Sequence, residues 1–121
     1  MTYEEIQIIL SQISDPAEKL EFVMDLGRTL AAVPNGAPAT EIKGCASRVE
    51  IYRDENNNYY GSADSALVRG VLAVLLSAAA GKSPDEIRRM DLGREFESLN
   101  LSLGAGRMNG VNGIIDFLTQ E

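Results

Sequence analysis

Residues 67–80 read LVRGVLAVLLSAAA, and nowhere else is the chain apolar for so long. The unbroken part, residues 71–80 with Ser77 inside it, is too short for a bilayer, which needs about 20 apolar residues in a helix. A segment apolar on nearly every side must therefore sit inside the protein, as a core helix that the rest of the chain covers. Leu67, Val68, Val71, Leu72, Leu75 and Ala79 are its expected contacts. Its start falls near Asp64 or Ser65, and Gly81 suits the left-handed C′ position that ends it. At 121 residues the chain can build one core around such a helix, so a single domain over residues 1–121 is expected.

Local signals place the covering elements. Thr2 and Glu5 form a capping-box pair ahead of Tyr3, Ile6, Leu10 and Ile13 at helical spacing. Asp15 and Pro16 supply a cap and an N1 proline for a second helix, whose expected buried face is Leu20, Val23, Met24, Gly27, Leu30 and Ala31. VPNGAP ends it. Residues 40–43 read as extended, Val49 and Ile51 alternate with polar neighbours as in a half-buried strand, and residues 58–62 return from the turn RDENNN. After the core helix, Ser83, Pro84 and Glu86 open a short helix, and Asp91 caps another carrying Leu92, Phe96 and Leu99. The last helix is expected from about Arg107, burying Met108, Val111, Ile115 and Leu118. Gly110 and Gly113 within it each cost up to about 1 kcal/mol against alanine, which points to a close backbone approach. Two helices, a small three-stranded antiparallel sheet and a helical second half make an α+β layer architecture.

Composition excludes whole classes of activity. A net charge of −7 and the lack of a basic stripe argue against nucleic acid as a partner. One cysteine and no histidine rule out an intrachain disulfide, CxxC redox chemistry, multi-thiolate zinc and Ser-His-Asp or Cys-His catalysis. Carboxylate-only metal sites stay open, although no spacing matches an EF-hand loop, and neither a metal nor a cofactor is expected. The acidic start MTYEEIQIIL lacks the basic region of a signal peptide, so the expected location is cytoplasmic, away from membranes. Chemistry must come from one thiol, carboxylates or arginines.

Three stretches remain. Cys45 lies in IKGCASRVEIY, at a strand end and outside any periodic apolar pattern. A free cysteine often packs as a small hydrophobe, and the residues alone leave a core thiol and a reactive thiol both open. Gly44 permits backbone angles that loops presenting a side chain need, and Lys43 and Arg48 flank the thiol with charge that favours thiolate. Asp64, in GSADSALVRG, reads by itself as the N-cap of the core helix. LGAGRMNG has glycines at 104, 106 and 110 but neither a preceding strand nor room for a βαβ unit, so it is no dinucleotide fingerprint. Arg107 sits where the helix dipole disfavours a cation, which points to a specific partner for it.

In this order and spacing, IKGCASRV, GSADSALVRGVLAVLL with SPDEI, and LGAGRMNGVNGII resemble the SufE family of sulfur-acceptor proteins, over nearly the whole chain. The resemblance implies a small antiparallel sheet covered by helices, similar to the iron–sulfur scaffold IscU. It implies a carrier that takes sulfane sulfur from a PLP-dependent cysteine desulfurase of SufS or CsdA type, stimulates it, and delivers the sulfur to a SufBCD-type scaffold for iron–sulfur cluster assembly. Cys45 matches the sulfur-accepting cysteine of the G-C-x-S motif. Asp64 and Arg107 match positions implicated in loop behaviour and partner exchange.

The chain departs from the family pattern at Ala46 and Glu50, where many members have glutamine and tryptophan, and in reading Ser62-Ala63-Asp64-Ser65 for Asp-Ser-Asp-Ala. These changes bear on which desulfurase is the partner, and the CsdE branch is one alternative. A non-catalytic interaction module with a structural cysteine is another. A thiol enzyme with Asp64 as base is disfavoured, because a carboxylate near its ordinary pKa is a poor base for a thiol. The oligomeric expectation is a monomer or homodimer. Asp64 and Arg107 are expected on the same side as Cys45, with Asp64 capping the core helix, and Cys45 is expected to point inward until a partner docks.

Overall fold

Helix starts follow the capping chemistry. In the computed structural model, which describes residues 1–44 and 48–120, Thr2 and Glu5 complete their capping box at the head of α1 (Tyr3–Gln12). Asp15 accepts the Ala17 N–H at the head of α2 (Pro16–Leu26). A 3₁₀ turn, Gly27–Thr29, follows directly. Strands β1 (Thr40–Glu41), β2 (Val49–Arg53) and β3 (Tyr59–Ala63) form one antiparallel sheet in that order. Four helices complete the chain: α3 (Ala66–Ala79), α4 (Pro84–Met90), α5 (Leu92–Glu97) and α6 (Ala105–Thr119). Ser83 and Glu86 form the second capping box, on α4, and Asp91 caps α5. The α+β expectation holds.

The apolar run is the core helix. Nine of its positions are buried, Val71, Leu72, Val74, Leu75 and Ala79 among them, while Leu67 and Val68 pack at its edge. On one side it meets the inner sheet face, where Val49 and Ile51 are fully buried. Gly61 of β3 leaves the space that Leu72 fills: a Cβ there would stand 2.7 Å from Leu72 Cδ2. On the other side it crosses α2 almost backbone to backbone. A Cβ on Gly70 would lie 2.1 Å from the Val23 carbonyl oxygen, and one on Gly27 would lie 2.9 Å from the Gly70 nitrogen.

Boundaries and faces differ from expectation in three places. Met24 is 40% exposed and Ala31 is exposed, while the buried face of α2 runs through Val23, Leu26 and Gly27, at ordinary i, i+3 and i+4 spacing. The last helix begins at Ala105 after Gly104, which holds φ +84°, and it buries Ile114 rather than Ile115. The core helix is capped by Ser65, whose Oγ accepts the Val68 N–H at 3.4 Å, and not by Asp64.

The tight crossing at Gly70 can be tested directly. Gly70→Ala gains helix propensity but must push α2 off α3, so it is expected to lower stability by about 1–3 kcal/mol in urea unfolding. A second test concerns the buried Tyr3 hydroxyl, which makes no hydrogen bond with another described residue. Its pKa is pushed up to about 12 by burial first, then by the charges of Glu95 and Glu4. The native state thus holds a proton that the unfolded chain releases from about pH 10, so the contribution of Tyr3 to stability is fully present below that and is lost as pH rises toward 12. Tyr3→Phe is expected to flatten this alkaline limb of the urea midpoint without loss near neutral pH, since it removes an unsatisfied buried group.

Candidate functional site

The β1–β2 hairpin pairs Thr40 with Ile51 and Glu41 with Glu50. It extends one step further, the Ile42 N–H donating to the Val49 carbonyl at 2.8 Å. Lys43 and Gly44 form the stem that leaves this hairpin, and Arg48 the stem that returns to it. Cys45, Ala46 and Ser47 lie outside the described residues, and with them the expectation of an inward-pointing thiol. The two stems of the loop are described, and each is held by a different part of the fold.

The first stem rests on α6. Gly44 adopts φ +88°, a left-handed conformation that side-chain-bearing residues rarely take, and a Cβ on it would lie 3.5 Å from the Asn109 carbonyl oxygen. One turn further along the same face, a Cβ on Gly113 would lie 2.6 Å from the Lys43 carbonyl oxygen and 2.9 Å from Ile42 Cγ2. The close approach expected of this glycine is real, and its partner is the cysteine loop. The second stem is held from the corner before α3: the Asp64 N–H donates to the Arg48 carbonyl at 3.3 Å. Arg48 also pairs with Glu50, Nε to Oε1, at 3.3 Å.

Asp64 thus sits beside the loop through its backbone. Its side chain is exposed and makes no hydrogen bond or ion pair with another described residue. Arg107 is placed differently. It is exposed in the first turn of α6, with Nη1 donating to the Leu103 carbonyl at 3.3 Å. At 100° per residue it points about 200° round the helix from Asn109, so it shares the end of α6 that seats the loop but not the face. A shallow cavity of about 310 Å³ is lined by Phe96, Glu97, Asn100, Leu101, Ser102 and Met108. Lys43 and Arg48 are exposed at the stems, so cationic side chains stand on both sides of the loop. Asn109 was not singled out by the sequence. Its only signal is its place in the glycine-rich GRMNGVNG stretch.

Residues 4–121 match the SufE family model, described as an Fe-S metabolism associated domain. The chain belongs to the SufE family. Among SufE-family relatives, the sulfur acceptor protein CsdE of Escherichia coli K12 is 30% identical over 122 residues, covering 94% of this chain and 83% of its own. An uncharacterized SufE-like protein of Rhizobium etli is 28% identical over 120 residues, covering 90% and 81%. The solution structure of a hypothetical protein from Thermus thermophilus superposes with a TM-score of 0.75 at 12% identity, over 98% of this chain and 93% of that one. At that identity the likeness is one of fold.

Because Ser65 and not Asp64 caps α3 in this SufE-family chain, the two neighbours are separable. Ser65→Ala is expected to cost about 1 kcal/mol of stability, as loss of a cap does, and Asp64→Ala much less. Thermal unfolding of the two variants side by side measures the difference.

Proposed function

We propose that this protein is a sulfur carrier: it accepts sulfane sulfur on Cys45 from the persulfide of a PLP-dependent cysteine desulfurase, stimulates that enzyme, and hands the sulfur to a SufBCD-type scaffold. The observation that carries this reading is the family match together with the place of the only thiol in the sequence, between two stems, 42–44 and 48, that the fold anchors. The 30% identity to CsdE favours a desulfurase of CsdA type as donor, with a SufS-type enzyme as the other candidate.

The step needs no histidine. Cys45 as thiolate attacks the outer sulfur of the donor persulfide, the donor's S–S bond breaks, and its thiolate leaves. The outer sulfur stays bonded to Cys45 Sγ, so Cys45 is oxidised to a persulfide as the donor is reduced to a thiol, with no external oxidant. Delivery repeats the exchange with Cys45 as donor. Lys43 and Arg48 favour the anionic sulfur through charge. Asp64 holds the second stem through its backbone and leaves its carboxylate free to meet a partner, and Arg107, exposed near the same helix end, is suited to pair with a carboxylate on the desulfurase. Between partners the persulfide must be kept from cytosolic thiols, which react by the same exchange, so a loop that withdraws Cys45 in the free protein belongs to this reading.

Cys45→Ser tests it. With a CsdA- or SufS-type desulfurase and free cysteine, the wild-type protein is expected to gain the mass of one sulfur atom and to raise desulfurase turnover. The serine variant should do neither while keeping the wild-type unfolding transition. Stimulation by the serine variant equal to wild type would overturn the carrier role.

A further inference from the structure

The contact between α6 and the first loop stem does more than pack the helix. Gly113 lies in the interior of a 15-residue helix, where alanine is the better helix former, and its Cβ position is already filled by the Lys43 carbonyl and Ile42 Cγ2, at 2.6 and 2.9 Å. Asn109, four residues earlier on the same face, brings its carbonyl to within van der Waals reach of a Cβ on Gly44. Ile42 is buried, so the stem cannot swing freely away from the helix. Gly44, next to Cys45, is held at φ +88°.

We infer that Asn109 and Gly113 form a seat on α6 that sets where the cysteine loop leaves the fold, with Gly113 a positioning residue for Cys45. The helix surface is recessed there by one missing methyl group, and the loop stem occupies the recess. The carbonyl of Lys43, two residues before the thiol, is thereby fixed against a rigid element, and the backbone direction at Gly44 follows from it. The consequence for sulfur transfer rests on the carrier reading above; the consequence for the loop itself does not.

The experiment uses two alanine variants of the same helix. Gly113→Ala adds a methyl group into the recess. Gly106→Ala adds one where no atom of another described residue lies within 4 Å, and serves as the control for helix propensity. Iodoacetamide alkylation of Cys45 in the free protein reads the loop without any partner. Persulfide transfer from a desulfurase, with kcat and the KM for the acceptor separated, reads its function.

Gly113→Ala is expected to shift the alkylation rate by about threefold or more, since access and local charge set thiol reactivity. Transfer should fall by about tenfold or more, chiefly in kcat, as reacting atoms displaced by about an ångström lose that much. Gly106→Ala should match wild type in both. Alkylation and transfer equal to the control in a folded Gly113→Ala protein would overturn the seat.

Should Gly113→Ala fail to fold, Gly44→Ala decides. It strains the stem at a positive φ without crowding α6, and alkylation at the wild-type rate would then overturn the inference. A wild-type protein that takes no sulfur, with a Gly113→Ala variant that still alters alkylation, would sink the carrier role and leave the seat standing.

Discussion

Everything in this fold is arranged about the near-contact of two backbones, α3 against α2 at Gly70. With a Cβ site 2.1 Å from the Val23 carbonyl oxygen, no other residue type fits there unchanged. The close crossing brings α2 down over the core helix, so that Val23 and Leu26 share a core with Leu72, Val74 and Leu75. On the far side Gly61 lets the sheet approach α3 in the same way. Burial of each such leucine or valine contributes about 1.5–3 kcal/mol, and the helix can collect that from both sides only because two glycines remove the side chains that would hold its neighbours away. The position of α3 in turn fixes its own beginning. Ser65 caps it, Asp64 precedes it, and the Asp64 N–H holds the second stem of the cysteine loop.

The first stem depends on α6, and α6 is pinned at its other end. Arg53 of β2 donates from Nη1 to the Gln120 carbonyl at 3.2 Å, and Arg88 of α4 donates to the Thr119 carbonyl while also meeting Asp85. Val111, Ile114 and Leu118 bury the remaining face. A helix tied to the sheet at its C-terminus and packed along its length is a stiff platform. The two stems that flank Cys45 in the sequence are therefore held by elements that belong to one core.

What the sequence made legible was chemistry that acts over a few residues. The capping boxes of Thr2 with Glu5 and Ser83 with Glu86, the N1 prolines at 16 and 84, and the left-handed glycine at 81 all stand where the pattern put them. Contacts between distant residues were not legible. Asp64 and Ser65 are both good caps; Ser65 takes the role, while the Asp64 N–H continues the hairpin to the Arg48 carbonyl, sixteen residues away. Helical spacing put Met24 on the buried face of α2, but the face that meets α3 runs through Val23 and Gly27, and Met24 lies to one side of it. For Gly113 the glycine itself announced a close approach. The approaching group lies seventy residues earlier, and only the fold brings it there. The same holds for Arg107, whose place on the helix was readable while the face it occupies relative to the loop was not.

Charge adds a constraint that packing alone does not explain. The protein is acidic, and its helices α1, α2, α4 and α5 each carry a carboxylate in the first turn, at Glu4 and Glu5, Glu18, Asp85 and Glu86, and Glu95. The two helices that hold the loop stems, α3 and α6, carry none, and α6 has no side-chain cap at all. A first-turn carboxylate stabilises a helix by about 0.3–1 kcal/mol, so its omission at these two ends costs stability. On the carrier reading proposed above, the omission has a reason. The attacking species and the stored product are both anions, and a carboxylate fixed at either helix end would raise the free energy of each through repulsion. Asp64 is the exception that sits near the loop, and its carboxylate stays out of the helix cap, leaving that task to the neutral hydroxyl of Ser65. Lys43 and Arg48, the latter paired with Glu50, place cations at the two stems of a protein that is otherwise strongly negative.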